Sequence, residues 1–115
     1  MIIRNNQRNI RTKDNLFSGE GTVMFNDIVD KSELYDKGSM FSELILKENC
    51  GLGYHTHTDE EEILLITKGK GVYNDDGQVS EVFEGDVCVC KDGHSHSIMN
   101  KSKEDMIAVA IKINK

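Results

Sequence analysis

The stretch GYHTHTDEEEILLITKGKG, residues 53–71, decides how this chain is read. It holds two histidines two positions apart, a run of three glutamates, a short apolar run and closing glycines. On an extended strand, residues i and i+2 point to the same face, so His55 and His57 can aim both imidazoles at one ion. An H-x-H pair alone is weak evidence, because histidines also line wetted strand faces. A carboxylate carried across the "TDE" turn would return to the same end of the sheet. Parity does not say which one. Glu60 and Glu62 share a phase with Leu64 and Ile66, Glu61 shares the other with Ile63 and Leu65, and both phases are apolar.

A second segment, EGDVCVCKDGHSHSIMN (84–100), repeats the theme: a strand-like run, a glycine turn, and a strand opening on His96. All four histidines of the chain lie in these two segments. Three imidazoles and a carboxylate form a mixed nitrogen and oxygen donor set. Such a set suits a divalent first-row ion better than calcium or magnesium.

The rest of the chain reads as β. At 115 residues it is long enough for one core and too short for two. Nine short runs are expected as strands: 21–29, 39–47, 53–57, 62–67, 71–74, 79–83, 86–90, 96–100 and 105–113. So many short strands imply a sandwich or barrel. With no proline in the chain, glycine, asparagine and aspartate must make the turns, and Asp76-Gly77 is the clearest hairpin signal. "VDKSELYDK" is the one helical candidate, a single turn capped by Ser32. Residues 1–20 are polar, basic and poorly patterned. They are expected as an arm, loose or paired with a partner subunit, ahead of a single domain over 21–115. Cys50, Cys88 and Cys90 cannot all pair, and "DVCVC" reads as a strand with small buried hydrophobes, so free thiols are expected.

A net charge of −6 argues against a nucleic-acid partner. No apolar run reaches the length of a membrane span, and Arg4 interrupts the only N-terminal apolar stretch, so neither a membrane nor export is indicated. A cytoplasmic location is the expectation.

With both segments in register, the sequence resembles the cupin superfamily, as a small single-domain member. The first cupin motif runs glycine, five residues, H-x-H, three or four residues, glutamate, six residues, glycine; His55, His57, Glu62 and Gly69 fall into that frame. Glu61 would put the closing position on Lys68, so Gly69 selects Glu62 and leaves Glu60 and Glu61 as solvated neighbours. The second motif is met by Gly85, Gly93, His96 and Asn100. Asn49 and Lys91 stand where the family has glycine and proline, both at turns.

The resemblance implies an all-β double-stranded β-helix, or jelly-roll barrel, with a metal inside near one mouth. His55, His57, Glu62 and His96 would be the ligands of one divalent transition ion (Mn, Fe, Ni, Co or Zn). It implies an enzyme acting on a small polar organic molecule, by oxalate-decarboxylase-like, dioxygenase or sugar isomerase or epimerase chemistry. The alternative is a non-catalytic barrel that binds or senses a small molecule. His94, Tyr54 and Tyr73 are the candidate acid/base groups. Leu64, Ile66 and Ile98 follow the ligands' parity and are expected to wall the pocket. Asn100 is expected to hold a turn through its amide. Small relatives of this kind are commonly homodimers.

Overall fold

The computed structural model describes residues 1–115 as ten strands in two antiparallel sheets. In chain order they are β1 (Ile10–Asp14), β2 (Thr22–Asp27), β3 (Gly38–Leu46), β4 (Gly51–Thr56) and β5 (Glu60–Lys68). Then come β6 (Lys70–Asp75), β7 (Gln78–Phe83), β8 (Val87–Cys90), β9 (Ser95–Met99) and β10 (Met106–Asn114). The larger sheet has the order β1-β2-β3-β10-β5-β8 and the smaller β4-β9-β6-β7. No helix is long and apolar enough to cross a membrane.

Alternation builds the core. Along β3 every second residue is buried, so Met40, Ser42, Leu44 and Leu46 face inward while Phe41, Glu43 and Ile45 face out. β10 runs between β3 and β5 and presents Met106, Ala108 and Ala110 inward. Leu64, Ile66, Ile98, Val23 and Phe25 complete the packing. At Asp76 and Gly77 φ is 53° and 97°, the left-handed pair a two-residue hairpin needs between β6 and β7. Asn49 and Asp59 also turn at positive φ, the left-handed conformation that asparagine and aspartate tolerate better than other non-glycine residues.

Two expectations change. Residues 1–20 are not a free arm: Ile10–Asp14 is the edge strand of the larger sheet and pairs with β2 of the same chain. The strand escaped pattern reading because its inward positions, Arg11 and Lys13, sit opposite Phe25 and Val23 yet are charged. The single helical turn is a short 3-10 turn, Lys31–Leu34, capped by Asp30, whose carboxylate accepts from the Ser32 N–H. Ser32 is the capped residue, not the cap.

Backbone packs on backbone where a 3-10 turn, Leu16–Ser18, lies against β4. A Cβ on Gly53 would stand 1.9 Å from the Phe17 carbonyl oxygen and 2.8 Å from the Gly19 nitrogen. Gly53→Ala should therefore destabilise the chain by about 1–3 kcal/mol, the usual cost of overpacking. The change should appear as a lower urea midpoint at unchanged slope; an unshifted midpoint would mean that this contact is looser than the geometry indicates.

Candidate metal centre

Strand pairing brings the cluster together. His55 on β4 lies directly opposite His96 on β9, beyond an irregularity that starts at Leu52. His57, just past β4, is tied to the 93–94 turn by two backbone hydrogen bonds, His57 N–H to His94 C=O and Gly93 N–H to His57 C=O. Glu62 comes from β5 in the facing sheet. The four side chains place their donor atoms within 4.8 Å of one another, an arrangement able to hold a divalent ion. His57, Glu62 and His96 are almost fully buried, and His55 is half-buried.

Each imidazole is anchored through Nδ1, which turns Nε2 inward. His55 Nδ1 donates to the Gly53 carbonyl at 2.7 Å. His57 Nδ1 donates to Glu60 Oε1 at 3.0 Å, and Ser39 Oγ holds the other Glu60 oxygen at 3.2 Å. His96 Nδ1 shares a 2.8 Å bond with the Tyr73 hydroxyl, which can play either part. The inner nitrogens of His57 and His96 are 2.9 Å apart, and Glu62 Oε1 is 3.4 Å and 3.0 Å from them. His55 Nε2 is buried and has no protein partner. A buried lone pair facing other lone pairs and a carboxylate is costly unless a cation lies among them. The donors thus fit a metal by chemistry as well as by spacing.

The electrostatics agree. Burial pushes the Glu62 carboxyl up, but hydrogen bonds with His57 and His96 outweigh it and bring the pKa to about 2. The bond to Glu62 holds His57 above its ordinary value against the effect of burial, with Glu60 adding to it. His55 is pushed down by burial.

Other residues singled out from the sequence fall in different places. Tyr73 reaches the cluster, but as the anchor of His96. Tyr54 is half exposed, alternating with His55 along β4, and does not enter the site. His94 lies on the surface paired with Asp76, which raises its pKa. Asn100 is buried, donating to the Leu46 and Glu104 carbonyls and accepting from Ser102. Cys88 and Cys90 are buried free thiols whose pKa burial raises to about 11. Glu60 is more than a solvated neighbour, since it orients His57.

Leu64, Ile66 and Ile98 belong to the packed core and do not wall the cavity. A cavity of about 310 Å3 reaches His55 and Glu62, and its apolar wall comes from Leu16, Phe17, Phe25, Met40 and Leu52. Arg11, Lys13 and Lys112 add a cationic side. Lys112 lies directly opposite Glu62 in the β10–β5 pairing. Arg11 sits over the Phe25 ring at 4.3 Å and is held by Asp27 at 3.3 Å.

A barrel of this topology, carrying three histidines and a glutamate at one mouth, defines the class, and a family model for the cupin domain matches residues 42–112. The chain belongs to the cupin family. It is 31% identical to an oxalate-binding protein of Thermotoga maritima over 98% of this chain and 93% of that one. It superposes with a TM-score of 0.94 and 30% identity on the crystal structure of a "predicted oxalate decarboxylase" of Thermotoga maritima, covering both chains fully. A cupin-superfamily sugar phosphate isomerase of Silicibacter pomeroyi shares the fold, with a TM-score of 0.74 at 15% identity over 92% of this chain and 72% of that one.

The signs of these shifts set a pH dependence for the metal-free protein. Glu62, lowered from 4.5 to about 2, contributes stability that is complete above pH 4.5 and lost as pH falls toward 2. The contribution is at most about 3 kcal/mol. His57, raised above 6.5, contributes stability complete below pH 6.5 and lost as pH rises through its raised value. Urea midpoints measured with chelator present should peak between these limits, and Glu62→Gln should flatten the acid side. An acid limb of equal steepness in both proteins would refute the assignment.

Proposed function

We propose that this chain is a metal-dependent binder of small dicarboxylate anions, with His55, His57, Glu62 and His96 as ligands of one divalent first-row ion. The observation that carries the reading is the cavity. In a chain of net charge −6, its polar side is cationic: Arg11, Lys13 and Lys112 stand beside His55 and Glu62. Asp27 offsets much of Arg11, whereas Lys13 and Lys112 have no carboxylate within salt-bridge distance. Their charges are left for a ligand. Four protein ligands on an ion that prefers six leave room for a chelating anion, and such an ion supplies Lewis acidity. Phe25, Met40 and Leu52 exclude water around the anion and so strengthen its attraction to the lysines. The relative named an oxalate-binding protein supports a short dicarboxylate such as oxalate.

Binding is favoured over turnover. Apart from His55 and Glu62, the cavity wall holds no imidazole or carboxylate that could act as a separate acid or base. Decarboxylation, the chemistry suggested for a relative, would have to protonate the carbon that loses CO2, and only the lysines and Arg11 stand there with protons. Formate release from oxalate, scored beside binding, tests that second reading.

Two variants separate the parts. His57→Ala should lose bound metal by elemental analysis while circular dichroism stays unchanged. Lys112→Met should keep the metal and weaken oxalate binding in calorimetry by roughly tenfold, the weight of a hydrogen bond to a charged group. Full metal content in His57→Ala, or oxalate bound equally by Lys112→Met, would overturn the reading.

We infer further that two copies associate through the outer face of the larger sheet. Ile45, Ile107, Val109, Leu65 and Val87 lie side by side across β3, β10, β5 and β8. Arg8 neutralises Glu43, the carboxylate among them, at 2.6 Å. An uncharged apolar patch is self-complementary under a two-fold axis and escapes the repulsion expected between two acidic chains. Light scattering should give a dimer, and Leu65→Glu should give a folded monomer; a monomeric wild type at high concentration would refute the interface.

A further inference from the structure

We propose that Phe17 is a positioning and size-limiting residue of this site: its ring fixes the orientation of the His55 imidazole and forms the wall that limits ligand length. The proposal rests on the metal-dependent reading above.

The three imidazoles are not held equally. His57 and His96 are almost fully buried and anchored through Nδ1 by side chains remote in sequence or set by the next strand, Tyr73 and Glu60. His55 is only half-buried, and its Nδ1 anchor is the backbone carbonyl of Gly53, two residues away on the same strand. One hydrogen bond leaves a ring free to tilt about it. What holds the plane of His55 is Phe17, stacked on it with ring centroids 3.9 Å apart and planes 13° from parallel.

Neither burial nor backbone preference explains Phe17's position. It is 46% exposed, and Leu16 is the residue of that turn that packs on the core. Its backbone is left-handed (φ 52°, ψ 38°), with Asn15 and Ser18 also at positive φ. A bulky side chain in that region is uncommon and strained. The surroundings hold it there. Asn15 accepts from the Ser18 N–H, Leu16 from the Gly19 N–H, and the Asn15 amide donates to the Gly19 carbonyl. From the other side the Phe17 carbonyl closes on Gly53, the residue whose own carbonyl anchors His55. Ring and backbone of Phe17 thus grip His55 and its anchor together. Because Phe17 also lines the cavity that reaches His55 and Glu62, the ring that fixes the ligand histidine bounds the space beside it.

The test uses cobalt-loaded protein, with oxalate and the four-carbon diacid succinate as probes. Phe17→Ala should alter the visible cobalt bands and speed cobalt release to chelator by about fivefold to tenfold, the weight of an aromatic stack. It should also shift the oxalate-to-succinate affinity ratio toward succinate. Phe17→Tyr, which keeps the flat ring, should restore all three readouts. Phe17→Leu, which keeps apolar bulk without a flat face, should restore the ratio but not the release rate. Circular dichroism confirms folding in each variant. Wild-type cobalt bands, release and ratio in folded Phe17→Ala overturn the proposal. If the wild type takes up no cobalt, the metal-dependent reading falls and the size limit with it. Nitrogen NMR of the metal-free protein then decides the clamp: one His55 tautomer, protonated at Nδ1, is expected in the wild type and a mixture in Phe17→Ala, and identical signals overturn it.

Discussion

The convergence of three imidazole Nε2 atoms on the Glu62 carboxylate is the constraint around which the mouth of the barrel is arranged. Electron-rich atoms that close together, in a place water barely reaches, are tolerated only with a proton or a metal ion among them. Glu60, Tyr73 and the Gly53 carbonyl each hold one Nδ1 and so decide where the opposite nitrogen points. The pairing of His55 with His96 and the tie between His57 and the 93–94 turn set the spacing. The larger sheet then delivers Glu62 from across the barrel.

Charge on the cavity wall turns that donor cluster toward a ligand. Arg11 and Lys13 occupy inward positions on β1 where a core residue would ordinarily sit, and Lys112 does the same near the end of β10. Inward cations are expensive in a packed interior and acceptable at a mouth, where they keep contact with water and wait for an anion. The edge strand β1 is thus as much a part of the site as of the fold. Its weak hydrophobic pattern and its role have one cause.

Much of the fold was legible beforehand because the physics that fixes it is local. Short β-prone runs bounded by turn residues marked β2 to β10, and glycine, aspartate and asparagine marked the turns. The cluster was legible for a similar reason: H-x-H puts two imidazoles on one face of a strand. The choice of Glu62 among three glutamates came from the cupin frame and not from parity, which is silent there. By residue type Tyr73 is a candidate acid or base, yet its place as the anchor of His96 depends on the β6–β9 register. Glu60 lies three residues from His57, near enough to be suspected, but nothing in the string says that its carboxylate turns back.

By itself the sequence determined the strands from β2 to β10, their turns and the free thiols, since each depends on residue type and short spacing; the donor set needed the resemblance to the cupin frame as well, which picked Glu62. Tertiary structure alone decided which residues wall the cavity. Leu64, Ile66 and Ile98 share the ligands' inward phase but lie deeper, in the core, while Phe17, Arg11 and Lys112 come from distant parts of the chain. Phase along a strand says which face a side chain takes. Depth along the barrel, and the neighbour from the opposite sheet, are set only when the two sheets close on each other.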